Sequence, residues 1–356
     1  MPTTNPYTYT VPTDKNPGDR NNATDYNTES LANIKYLKFV TAEAYPGSRN
    51  FIQNSHMDIW QRGTSFTVAS STKTYCADRW MAYRSGTGGA TVSRQTGPTG
   101  QQYAQRVQRD SGNSSTTAIT LYQALDTADS YPLAGTVCQL KLNLKAGANF
   151  SAASSQVTVK VTYGTGTDQS PEASWTGTTD ALSTTQAITT TATDYTFQDI
   201  TIPSSATQVK ISVAFTPVGT ASTNDWFEIA AAQLTIGGTV GWERRRYQQE
   251  LALCQRYFFA PAIYEYVGGV WSTTQIVMRV RFPVTMRTTP TAVYGSGTWT
   301  CDQTGIAPKT STSTPNDYGI TTTKAGFYQA GYTGATLYAH AEMSGIPSGT
   351  YYTAEL

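Results

Sequence analysis

The chain has 356 residues, enough for about two globular domains and an arm or linker. Its 25 Lys and Arg against 24 Asp and Glu leave a net charge of +1, which excludes the broad positive field that gathers nucleic acid or anionic lipid. Charged residues are only 14%, and Thr, Ser, Gly, Asn, Gln and 23 Tyr take their place, so the expected class is all-β, short strands joined by many turns, with a surface suited to sugars and neighbouring subunits.

Residues 1–49 begin with Pro, Thr, Asn, Tyr and Asp and almost no aliphatic side chain, too polar to make a core of their own. They read as an extended arm that docks on a partner, with a short helix over Glu29 to Val40 from the spacing of Leu31, Ile34 and Leu37. The first twenty residues lack an apolar h-region, and no apolar run approaches membrane-spanning length, so neither a secretory signal nor membrane insertion is expected. The four cysteines, Cys76, Cys138, Cys254 and Cys301, lie far apart and read as buried free thiols, which fits assembly in a reducing cytoplasm.

From about Asn50 the pattern turns to period two. Leu140, Leu142 and Leu144 alternate with Lys141, Asn143 and Lys145, giving one dry and one wet face. The alternation recurs at Val157, Val159, Val161 and at Val209, Ile211, Val213, Phe215, with Gly, Ser and Thr turns between. Over residues 50–246, with no long helix, this predicts a two-sheet sandwich. Tyr247, Leu251, Cys254 and Phe258 then follow helical spacing up to Pro261, a linker helix within 247–260. Alternation returns at Ile276, Met278, Val280, Phe282 and at Leu337, Ala339, Ala341, Met343, so residues 261–356 form a second, smaller β-domain.

Two stretches carry a resemblance. The first is Asn54-Ser-His-Met-Asp-Ile-Trp-Gln-Arg-Gly63 leading to Ala77-Asp-Arg-Trp80; the second runs from Trp226-Phe-Glu-Ile-Ala230 through Gln233-Leu234 to Glu243-Arg-Arg-Arg-Tyr247. Both resemble bacteriophage virion structural proteins, the tail-fibre and minor structural kind, in which they open and close a carbohydrate-binding-module-like jelly roll. Glu250 to Tyr257 resembles the exit helix of that family, and Phe282 to Arg287 with Thr289-Pro290 a strand of its C-terminal β-domain. The resemblance covers residues 50 to 290. It implies a jelly-roll β-sandwich, a location on the virion after assembly in the host cytoplasm, docking to other virion proteins through residues 1–49, and a homotrimer; the sequence has no heptads to enforce one.

For the motif residues two readings stand side by side. Trp60 and Trp80 are core or a sugar platform, and Trp175, set among turn residues, is the better platform candidate. Asp58, Arg62, Asp78 and Arg79 form a buried ion-pair network that fixes the start of the first strand, or they bond sugar hydroxyls. Arg244, Arg245 and Arg246 repel one another unless Glu243, Glu250 or a neighbouring subunit answers them. Asp78 and Asp225 are candidates for a structural calcium.

Catalytic signatures are weak. His56 and His340 lie far apart and outside any metal motif, and there is no G-x-S-x-G elbow and no phosphate loop. A glycosidase needs only two facing carboxylates, and Asp225, Glu228, Asp168 and Glu172 are the acids to inspect. The expectation is a non-enzymatic fibre or adhesin subunit that meets host-surface carbohydrate. The alternatives are a decoration or cement protein without ligand and a polysaccharide-degrading enzyme.

Overall fold

The structure is a computed structural model that describes residues 50–238, 241–303 and 306–356. The expected arm and its helix, 1–49, lie outside the described residues. Two six-stranded sheets, antiparallel at every pairing, make the first domain. One runs β1 (Ser65–Thr67), β4 (Ala90–Thr96), β5 (Tyr103–Arg109), β12 (Trp226–Ile236), β7 (Val137–Ala146), β10 (Thr193–Thr201). The other runs β2 (Thr74–Tyr75), β3 (Met81–Tyr83), β6 (Ile119–Ala124), β11 (Gln208–Phe215), β8 (Gln156–Gly164), β9 (Thr179–Ala187). From β5 onward the chain changes sheet at every connection except that from β8 to β9, so sequence neighbours such as β6 and β7 lie in opposite layers. That is jelly-roll winding.

The alternation seen in the sequence sets which face is dry. Leu140, Leu142, Leu144, Val157, Val159, Val161, Val209, Ile211, Val213 and Phe215 meet between the two sheets with almost no exposed surface. Each fully buried aliphatic or aromatic side chain contributes about 1.5–3 kcal/mol, so this layer is the main source of the fold's stability. All four cysteines are free and buried.

The helix forms at Tyr247–Gln255, but its buried face differs from the expected stripe. Tyr247 is exposed and Phe258 belongs to a strand, while Glu250 and Cys254 point inward. A carboxylate takes the inward place because the Asn54 backbone N–H donates to Glu250 and Arg245 pairs with it at 3.2 Å.

The C-terminal domain has its own core. A small sheet of β13 (Phe258–Phe259), β22 (Tyr351–Thr353) and β16 (Thr291–Val293) contributes Phe259 and Tyr352 to it. The larger sheet runs β18 (Ile306–Ser311), β17 (Trp299–Gln303), β21 (His340–Gly345), β14 (Val267–Ser272), β15 (Gln275–Arg281), β20 (Lys324–Gln329), β19 (Asn316–Asp317). Leu337, expected in register with Ala341 and Met343, sits before β21 and is exposed. The chain is all-β, a jelly-roll sandwich followed by a smaller β-domain; among the described residues no helix is long and apolar enough to cross a membrane.

Charged contacts join the two domains. Glu355 pairs with Arg62 at 2.9 Å and with Arg79, Arg287 pairs with Asp168 at 2.7 Å, and the Tyr257 hydroxyl donates to Asp126 at 2.9 Å. The Arg79 guanidinium lies 3.4 Å from the Tyr257 ring centroid, and that of Arg62 lies 3.7 Å from the Phe258 ring. The charges of Glu355, Arg62 and Arg79 are largely desolvated, so removing one partner there costs far more than a surface pair would.

Candidate functional site

The outer face of the β12 sheet carries the most structured polar surface of the first domain. Phe227 and Ile229 of β12 point into the core, which sends Trp226, Glu228 and Ala230 outward. A bulge between Ile229 and Ala231 then reverses the parity and puts Gln233 and Thr235 on that face. The neighbouring strands follow the same rule: Arg106 from β5, Lys141, Asn143 and Lys145 from β7, and Asp194 from β10.

Register brings these side chains into rows. Arg106, Glu228 and Lys145 are adjacent across three strands. Arg106 donates twice to Glu228, at 2.9 and 2.6 Å, while Lys145 stands 3.9 Å from the other carboxylate oxygen. The Arg106 guanidinium also lies 3.9 Å over the Trp226 ring, which is left 7% exposed. In the next row the Asn143 amide donates to Asp194 at 2.7 Å. Asp194 in turn accepts from Lys141 at 3.2 Å and from the Trp242 indole at 3.0 Å. Burial works against its charge, but the bonds from Asn143 and Lys141 hold the carboxyl below the usual carboxylate range, so it stays ionised.

Loops wall this face into a groove of about 860 Å³, with the Pro98 to Gln101 turn on one side and Thr190 to Ala192 on the other. Trp242 and His56 close one end, edge to face at 5.9 Å. Burial, followed by the charges of Arg244 and Arg245, brings the His56 imidazole down to about 4. Asn143 lines the groove, and its Oδ1 is buried with no partner. The amide cannot turn to use it, because its NH2 is already held by Asp194.

The residues expected from the sequence are placed elsewhere. Trp80 is fully buried, its indole donating to the Asn54 carbonyl at 3.2 Å, and so is no platform. Trp175 is only 4% exposed because its loop folds onto β11: the indole donates to the Ser170 carbonyl at 2.9 Å, and Lys210 lies 4.3 Å from the ring centroid. Trp60 is half-buried, stacked on Phe66 at 6.4 Å and bonded to the Met57 carbonyl. It borders a separate hollow of about 350 Å³ with Tyr103 and Tyr247.

The expected calcium ligands are also committed. Asp225 pairs with Arg109 at 2.7 Å and accepts from the Ser151 N–H, and Asp78 accepts from Gln61 and pairs with Arg62 at 3.5 Å. Among the described residues no group of three His, Cys, Asp or Glu could hold a metal ion. The arginine triplet is answered within the chain, Arg244 by Asp58 at 2.9 Å and Arg245 by Glu250, leaving Arg246 exposed. Of the expected network of Asp58, Arg62, Asp78 and Arg79, Arg62 pairs with Asp78, Arg79 joins them only through Glu355, which lies beyond the stretch that carries the resemblance, and Asp58 stands apart with Arg244.

The candidate acids Asp168 and Glu172 are paired with Arg287 and Lys73. A further pocket of about 670 Å³ lies at the domain junction, but its arginine, Arg62, is already held by Asp78, Glu355 and the Phe258 ring.

No family model matches the chain, and no curated protein sequence matches it. Solved structures share its outline at low identity. One described as "CBM4 structure and function" is 18% identical, covers 52% of this chain and 99% of its own, with a TM-score of 0.33. The xylan-binding domain of a CBM22 is 16% identical over 55% of this chain and 100% of its own, TM-score 0.33. TmCBM61, solved with β-1,4-galactotriose, is 13% identical over 53% and 99%, TM-score 0.31. At these values the assignment of the sandwich rests on its own strand order.

Proposed function

We propose that this chain is a non-enzymatic glycan-binding structural protein, and that an extended, uncharged stretch of polysaccharide lies in the groove over β7 and β10. The observation that carries this reading is the groove floor. It combines the surface of Trp242 with Lys145, Asn143 and Asp194, and Asp194 fixes two of these by accepting from the Asn143 amide and the Trp242 indole. A sugar ring offers an apolar C–H face and a rim of hydroxyls that both donate and accept. Aromatic surface with fixed amides and carboxylates matches that pattern. The charges nearly cancel in pairs, which disfavours strongly anionic ligands.

The absence of catalysis is part of the proposal. It is supported by the acids of the face, which are engaged in ion pairs: Glu228 with Arg106 and Lys145, and Asp194 with Lys141. We propose further, from the resemblance of the Asn54 to Trp80 and Trp226 to Tyr247 segments, that the chain is a bacteriophage virion protein, a fibre or adhesin subunit that presents this groove to host-surface carbohydrate. Screening the whole protein on a glycan array tests the binding. Bound glycans that remain intact on prolonged incubation support the reading; released products overturn its non-enzymatic part. Gold-labelled antibody against the protein on phage particles tests the location, and unlabelled particles overturn it.

A further inference from the structure

Of the thirteen large hydrophobic side chains that stand exposed among the described residues, eight belong to the C-terminal domain, so its surface, not that of the jelly roll, is where apolar area waits to be covered. The outer face of the seven-stranded sheet is the focus. On β14, Val270 points into the core, and Val267 and Gly269 face out. Trp271 sits at the bulge that ends the pairing with β15 and is 70% exposed. Beside it Tyr338, whose N–H donates to the Val270 carbonyl at 3.1 Å, is 86% exposed at a φ of 62°, a left-handed conformation that a tyrosine adopts only when its surroundings impose it.

Charge tells what covers this face. Val267 is paired on one side with Glu342 of β21 and on the other with Arg279 of β15. The acid and the base therefore flank β14 symmetrically, one strand away on each side. Neither makes an ion pair among the described residues.

We propose that this face is a contact with a second copy of the chain, related by a two-fold axis running along β14. That operation turns left into right across the strand. It sets Arg279 over Glu342 of the partner subunit and Glu342 over Arg279 of the partner subunit, with Val267 and Trp271 each facing its own equivalent. Two unpaired charges on one copy become two ion pairs in the pair of copies, the self-complementarity that an isologous contact requires. Gly269, with no side chain between the flanking residues, lets the faces approach along the axis. A sugar platform would use Trp271 and Tyr338 but would leave the placement of the opposite charges about Val267 without a role. The contact joins copies in pairs, so it is distinct from a three-fold association.

Sedimentation or light scattering of the full chain reads the result, with Trp271→Ala, Arg279→Glu, Glu342→Arg and the double exchange Arg279→Glu/Glu342→Arg. The proposal expects a mass twice that of one chain for the unchanged protein. Each single charge reversal and Trp271→Ala should give single-chain mass with an unchanged circular dichroism spectrum, and the double exchange should restore the doubled mass. A single-chain mass for the unchanged protein overturns the proposal, and so does an oligomer indifferent to all four variants. Loss of glycan binding in Trp271→Ala at unchanged mass also overturns it, and assigns the face to sugar instead.

Discussion

The Arg109 guanidinium and the Asp225 carboxylate meet at 2.7 Å with neither side chain exposed to solvent. The same carboxylate accepts from the Ser151 backbone N–H, and the guanidinium also donates to the carbonyls of Asn113, Ser115 and Gly219. The pair ties the loops at one end of the sandwich to β5 and to the start of β12. Asp225→Ala leaves a buried arginine without its anion, and the expected cost is about 3–5 kcal/mol. Urea denaturation measures it; a loss below about 1 kcal/mol would mean that the arginine finds solvent.

Because Asp225 and Asp78 already have protein partners, neither is free for an ion. Thermal unfolding with excess chelator and with added calcium should give the same midpoint. A rise of several degrees with calcium would place a structural ion in the fold.

In the groove, Trp242→Ala and Asn143→Ala should each weaken binding of whichever glycan an array identifies by about tenfold, roughly 1.4 kcal/mol, with unfolding unchanged. Trp80→Ala and Trp175→Ala should do the reverse, lowering stability by about 3–5 kcal/mol, since both rings are packed inside. Titration calorimetry and denaturation of the same four variants separate the two behaviours.

His56 gives the fold a dependence on acid. In the native state its imidazole titrates near 4, against 6.5 for the free side chain, so between those values the unfolded chain binds the extra proton. Stability from this residue is complete above about pH 6.5 and falls as pH drops towards 4, by about 3 kcal/mol in total. His56→Asn should flatten that part of the profile; an identical profile in the variant would assign the acid sensitivity to carboxylates.

Glu355 lies between Arg62 and Arg79 at the domain junction, with 5% of its side chain exposed. Glu355→Ala leaves Arg79 without its carboxylate and Arg62 with Asp78 as its one remaining acid, and should split one calorimetric transition into two, with the C-terminal domain melting first. A single transition at the same temperature would show that Tyr257, Phe258 and Arg287 suffice to hold the domains.

Much of the fold was legible in local pattern. Leu140, Leu142 and Leu144 alternate with Lys141, Asn143 and Lys145, and that alone names the dry and wet faces of β7. The wet face contains two side chains that line the groove, Asn143 and Lys145, so the signal for the site was present. What the sequence could not say is which strand lies beside it, because the pairing of Glu228 with Lys145 and Arg106 spans residues far apart in the chain. Trp175 misled for a related reason. Its turn-rich surroundings do indicate a loop, but the loop closes over Lys210, a contact invisible without the fold. The helix stripe failed at Glu250, where a buried acid is stabilised by a distant backbone N–H.

A structure of the whole protein with the glycan that binds most tightly on an array tests the central claim most directly. The account predicts sugar rings along β7 and β10, one against Trp242, with hydroxyls within hydrogen-bond reach of Lys145 and Asp194. Sugar seated at the domain junction or on the Trp271 face, with the groove over β7 and β10 empty, would contradict it.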